Sequence, residues 1–191
     1  MNNFIKLLIG LLILALGIGL SLTQEQAPVK PSWVHEINWP DKPDDSSKIE
    51  ELLWVDISPY RAEYEMVNIS SGSNGGARIL RIIATIKDTD KPDVYDFVYE
   101  NGELVQTGYL LEAIPPVYRD EAIGIALGSQ EVATSVVGAG TPAVRRILPK
   151  TSEKFYAPKT MLSVTWKGVS ALVDPDERKV AQVWKESGNV K

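Results

Sequence analysis

Asp174, Asp176 and Glu177 fall within four positions of one another in the stretch VSALVDPDERKVAQVW. Carboxylates this close could hold a hard cation or assist a hydrolysis. A calcium loop would continue as Asp-x-Asp-x-Asp/Asn-Gly and close on a distant glutamate. Here Arg178 stands where the third ligand belongs, Lys179 follows at once, and no glycine supplies the bend. Pro175 presets φ for the second position of a turn, and Asp174 suits the first. The stretch therefore reads as a hairpin corner whose acids are neutralised by the neighbouring cations. A second pair, Asp120 and Glu121, opens a candidate helix, where acids ordinarily serve the helix dipole. Ser152 and Lys154 have the types needed for a Ser-Lys hydrolase, but they lie in a polar stretch with no evident partner.

The remaining catalytic types are scarce. His35 is the one histidine, so a Ser-His-Asp triad elsewhere has no obvious base. Cysteine is absent, which removes disulfides, thiolate metal sites, cysteine nucleophiles and a cysteine-linked lipid anchor. Ser70–Gly76 is glycine-rich but lacks the Gly-Lys-Ser/Thr ending of a phosphate loop. Gly138–Ala143 matches a loose G-x-G-x-x-A pattern, but Pro142 lies inside it and no strand–loop–helix unit surrounds it. No catalytic, cofactor-binding or metal-ligating residue is assigned, and the chain is not read as an enzyme. The net charge of −5 lacks the footprint of nucleic-acid binding; Arg145-Arg146 with Lys150 is the nearest thing to a basic cluster.

The N-terminus carries the clearest address. Leu7–Thr23 is uncharged, with Lys6 before it. Its length sits near the lower limit for a transmembrane helix, about 17 residues, and above the about 7–15 of a signal-peptide core. Residues 1–23 are thus a signal peptide or a membrane anchor, with the remainder outside the cell membrane. Asn68-Ile69-Ser70 is a glycosylation sequon compatible with export.

The elements that follow must position everything else. Residues 24–46 form a Pro-rich extended linker, whose Trp33, His35 and Trp39 read as a strap packed on the domain. Ser47 with Glu50 fits a capping box opening a helix over 48–57, with Ile49, Leu52, Leu53 and Asp56 on one side. Residues 60–68 read as a strand or a continuation of the helix, and Ser70–Gly76 as a loop. Residues 77–87 are a strand. Asn101-Gly102 predicts a hairpin pairing Tyr99 with Leu104, its apolar face carrying Tyr95, Phe97, Tyr99, Leu104 and Leu110. After Pro115-Pro116 a second helix is expected, with Val117, Ile123, Ala126 and Leu127 at helical spacing. A final meander pairs Trp166 with Val169, buries Leu162, Val164, Ala171 and Val173, and shows Ser163, Thr165 and Ser170 on its other face.

The expected fold is α+β: a helix on an antiparallel three-stranded meander, in two tandem copies at 47–112 and 113–185, ahead of a polar tail at 186–191. Glu121–Leu127, EAIGIAL, and Val169–Asp174 followed by Lys179–Val183, KVAQV, resemble signatures of the PepSY-like family of small extracytoplasmic domains. DPDER departs from that family's glycine-containing turn. The resemblance implies a domain that binds or restrains other proteins at the outer membrane face, with no shared catalytic residues. The expected function is accordingly a membrane-anchored or exported binding or regulatory module, held to the membrane by its N-terminal helix and meeting a protein partner. The alternatives are a structural cell-surface subunit and a carboxylate- or Ser-Lys-dependent hydrolase.

Overall fold

A computed structural model describes residues 30–149 and 156–185. The expected N-terminal segment, Ser152, Lys154 and the polar tail lie outside the described residues. Among those described, no helix is long and apolar enough to cross a membrane. The chain runs β1 (Val34–Asn38), α1 (Ser46–Asp56), β2 (Tyr64–Asn74), β3 (Ala77–Ile86), β4 (Asp93–Glu100) and β5 (Glu103–Leu111). It continues through α2 (Pro116–Leu127), α3 (Gln130–Ser135), β6 (Ala143–Ile147), β7 (Met161–Trp166), β8 (Val169–Asp174) and β9 (Lys179–Lys185).

The architecture corrects the expected one. All nine strands join in a single mixed sheet, in sequence order, rather than in two three-stranded meanders. Two additions explain the difference. The linker supplies β1, which runs parallel to β2 and is joined to it through α1, a crossover that parallel neighbours require. The serine- and glycine-rich stretch is not a loop: it prolongs β2, pairs through Asn74↔Ala77, and turns at Gly75-Gly76, both at positive φ. Backbone pairing with β3 is sufficient there without apolar side chains. The first half of the sheet thereby has five strands and the second four, where a three-stranded meander was expected in each; β6 falls where a short strand over 145–148 is compatible with the sequence.

Local signals set the registers. Asn101 and Gly102 both take positive φ, and Tyr99 pairs with Leu104 as the dipeptide predicts. Trp166 pairs with Val169 around Lys167-Gly168. A β-bulge between Asp96 and Phe97, opposite Gly108 and Gln106, then shifts the β4–β5 register. One extra residue flips every side chain beyond it. Leu110 therefore joins Val94 on the far face, and Tyr109 takes the position opposite Tyr95.

Helices α1 and α2 cover the same face of the sheet. Ile49 and Leu53 of α1 pack on Leu80, Ile82, Tyr95 and Phe97, and Trp33 sits edge-on to Trp54 and Tyr64. Full burial of each such large side chain contributes about 1.5–3 kcal/mol. Glu50 does not close a capping box; its Oε1 accepts the indole N–H of Trp39 at 2.7 Å. Helix α2 turns Ala122 and Ala126 inward, while Val117 and Leu127 of the expected stripe are exposed. Small residues here let α2 lie close on the sheet below. The expected apolar face of β7 and β8 is buried as read, but Ser163 and Ser170 on the other face are buried too, beside a cluster of Ala157, Met161 and Leu172. The two strands are central, which the alternation alone did not reveal.

Among the described residues, the halves of the sheet pair through the rung Leu111↔Arg146. Arg146 is 3% exposed and Asp93 1%. Arg146 Nη2 donates to Asp93 Oδ2 at 2.7 Å, to Tyr95 Oη at 2.6 Å and to Tyr64 Oη at 3.2 Å, and Nη1 donates to the Ser58 carbonyl. Asp93 also accepts from Tyr64 Oη at 2.6 Å and from the Ala113 amide at 2.9 Å. Removing one member strands the others without water. Arg146→Met is expected to cost about 3–5 kcal/mol in urea unfolding followed by tryptophan fluorescence. The double variant Asp93→Leu/Arg146→Met should recover part of that loss.

Candidate functional site

The acidic corner does form, and its carboxylates are paired with cations. Asp174 Oδ1 accepts the amides of Asp176 and Glu177, each at 3.1 Å, in the turn its sequence predicts. Its Oδ2 lies 3.0 Å from Lys159 Nζ. Asp176 pairs with Arg61 from the loop after α1, Glu177 with Lys179, and Arg178 reaches across to Glu121 of α2. Four carboxylates thus meet four cations. The neutralisation expected from adjacent residues is in fact supplied mostly by distant ones. Burial alone would raise the Asp174 carboxyl, but the Lys159 ammonium and the two turn amides outweigh it and hold it below the usual range. That direction suits a fixed anion and not a general acid.

The other candidates scatter. Asp120 is exposed and faces Arg119 at 3.5 Å. Glu121 is brought to the acidic corner only through Arg178. His35 Nε2 lies 2.5 Å from Glu63 Oε2 at an exposed site. Arg145 and Arg146 do not form a basic cluster: they point to opposite faces of β6, Arg145 to Glu112 at 2.8 Å and Arg146 into the core. Among the described residues no group of three or more His, Cys, Asp or Glu is placed to hold a metal ion. Burial pushes the Asp93 carboxyl up against the pull of Arg146, the Tyr64 hydroxyl and the Ala113 amide. It is enclosed, however, so no substrate reaches it.

What remains is a surface. The face of β3, β4 and β5 turned away from α1 carries two apolar rows. Ile79, Val98 and Val105 form one, and Ile83, Val94 and Leu110 the other, aligned by the strand registers. Between them Arg81 clasps Asp96 in two hydrogen bonds, at 2.7 and 3.1 Å. Val105 is 56% exposed, Ile79 and Leu110 40%, and Ile83 37%. These large apolar side chains are left in water on one sheet face. Sequence reading missed it because a strand with β-branched residues on both sides looks the same whether its second face is buried or bare. The bulge that moves Leu110 onto this face leaves no sequence signal beyond Gly108.

Asp174 and Glu112 generate an acid-side prediction. For Glu112, as for Asp174, burial is outweighed, here by Arg145 and Lys91, so both folded-state carboxyls titrate below their ordinary values of 3.8 and 4.5. The stability they contribute is complete above those ordinary values and is lost as pH falls through the lowered folded ones. Asp174→Asn keeps an acceptor for the turn amides but loses the charge. It should lower the urea midpoint at neutral pH and flatten its fall in the acid range, read as midpoint against pH.

Compared with family models, with curated proteins and with solved structures, the chain matches none.

Proposed function

We propose that this chain is an extracytoplasmic binding or regulatory module, held at the cell membrane by its N-terminal segment or exported through it, that acts by contact with a protein partner. The observation that carries this reading is the bare face of β3–β5, with Ile79, Ile83, Val105 and Leu110 in register around the Arg81–Asp96 pair. Apolar anchors bracketing a polar pair supply affinity and orientation together. The PepSY-like signatures in the second half favour the same reading. So does the engagement of Asp120, Glu121, Asp174 and Asp176 in ion pairs with cations rather than with one another. Assembly through the outermost strands is the less favoured reading. Strand β1 lies between Pro31 and Pro40, and β9 begins and ends in lysine, both of which discourage edge pairing.

The test uses the full chain in its own membranes. A photo-crosslinking residue at Ile83 should give one predominant adduct with a membrane or envelope protein. The same residue at Val137, which is exposed in the turn after α3, should not. Ile79→Lys should reduce the Ile83 adduct about tenfold or more, since it places a charge in the contact. Equal labelling from both positions would remove the reading. So would turnover of peptide or ester substrates that is abolished by Asp120→Asn or Glu121→Gln.

A further inference from the structure

The bare face continues onto β2, and its pattern is complementary to itself. Gly72 pairs with Ile79 and so extends the row of Ile79, Val98 and Val105. Gly72 leaves a gap at one end of that row, since a Cβ there would meet no atom within 4 Å. Val105, the most exposed apolar residue of this face, stands out at the other end. The middle rung carries Arg81 and Asp96, with the small residues Ser70 and Gly108 beside them. The side chains of Arg81 and Asp96 are 60% and 32% exposed.

A twofold axis laid along the strands, between β3 and β4, turns this face onto a second copy of itself. Strand β3 then lies over the second copy's β4, and β2 over its β5. Apolar rows meet: Ile79 faces Val98, and Ile83 faces Val94. Each Val105 stands over the gap that Gly72 leaves in the other copy. Arg81 faces Asp96 in both directions, so four charges alternate in sign around the axis, and such complementarity fixes orientation. A twofold axis across the strands also lays apolar rows on one another, but it sets Arg81 over Arg81 and Asp96 over Asp96, which is repulsive. Within each chain Arg81 and Asp96 already bond, at 2.7 and 3.1 Å, so covering them leaves no charge unpaired.

We propose that the partner of the bare face is a second copy of this chain, packed sheet on sheet about a twofold axis that runs along the strands between β3 and β4. The proposal deepens the binding-module reading and rests on it. Sheets packed face to face keep their strands within about 30° of one another, as this axis requires. Four strands about 4.8 Å apart, over about ten residues of about 3.3 Å each, present on the order of 600 Å² in projection. A stable complex buries about 800 Å² per partner, so a dimer uses the whole face. The axis also keeps Lys30, the first described residue, at the same height in both copies, so both N-terminal segments can meet one membrane.

The test is made on the full chain in its own membranes. The crosslinking residue at Ile83 should give an adduct of twice the chain mass that yields peptides of this chain alone. Gly72→Val should reduce that adduct about tenfold or more, because it fills the gap that receives Val105. The same variant should keep its circular dichroism, since its own chain has room for the side chain and a β-branched residue suits a strand. Arg81→Asp and Asp96→Arg should each lose the adduct, and the two variant chains expressed together should recover it, since acids on one copy then face cations on the other. A charge pair that only stabilises its own chain would not be rescued by mixing. The proposal falls if the Ile83 adduct holds a different protein, if any of the three single variants keeps the self-adduct, or if the mixed chains fail to recover it. An adduct with a different protein removes the dimer and leaves the binding module. Absence of a specific adduct from Ile83 removes both.

Discussion

A guanidinium taken out of water must be surrounded by acceptors, and no single element of this chain can provide enough of them for Arg146. The hydroxyls come from β2 and β4, the carboxylate from the start of β4, and a carbonyl from the loop after α1. Pairing the two terminal nitrogens of the buried guanidinium therefore fixes how the second half of the sheet sits against the first, while its Nε stays buried without a partner. The pairing acts at one point, since among the described residues the rung that carries Arg146 is the one backbone pair between β5 and β6. The loop after α1 adds to the joint. Tyr60 stacks edge-on against Tyr118 of α2, and Arg61 lies 5.4 Å from the centroid of the Tyr60 ring before reaching Asp176. Glu112, held between Lys91 and Arg145, ties the end of β5 to the β3–β4 turn and to β6.

The strands β5 and β6 are paired where the buried cluster lies, at Leu111 and Arg146. Helices α1 and α2 lie on the face where Arg146 and the aromatic residues lie, and among the described residues none covers the opposite face of β3–β5. Over β3–β5 one face is thus covered, and the apolar rows on the other stay exposed; over β7 and β8 both faces are buried. The lysine, arginines and turn amides of the acidic corner bind the end of the last hairpin to α2 and to the loop after α1.

Much of the first-order pattern was legible. Two-residue turns at Asn101-Gly102 and Lys167-Gly168 fixed their hairpins, since few backbones other than glycine and asparagine accept positive φ. The alternation from Leu162 to Val173 named a core face. Asp174-Pro175 named a corner. The misreadings have equally local causes. Ser70–Gly76 is polar because its strand outruns the core, and composition cannot distinguish that from a loop. Val34–Asn38 is short and lies between prolines, and only β2 beside it makes it a strand. Val117 and Leu127 fit a helical stripe on paper, but close packing favoured Ala122 and Ala126. The bare face could not be read at all, because Ile79 and Ile83 satisfy the pattern of a two-sided core strand.

By itself, then, the sequence determined the turns, the alternation and the class of elements, for these depend on neighbours along the chain. It also bounded the chemistry, through one histidine, no cysteine and a mildly acidic balance. Tertiary structure alone decided that the two sets of strands are one sheet, that Arg146 and not the acidic corner is its pivot, and which face stays in water. These depend on contacts between residues far apart in sequence. Arg146 meets Asp93, Tyr95 and Tyr64 across separations of 53, 51 and 82 residues. No local pattern encodes such a meeting, because the desolvation that makes it decisive exists only once the core has closed around it.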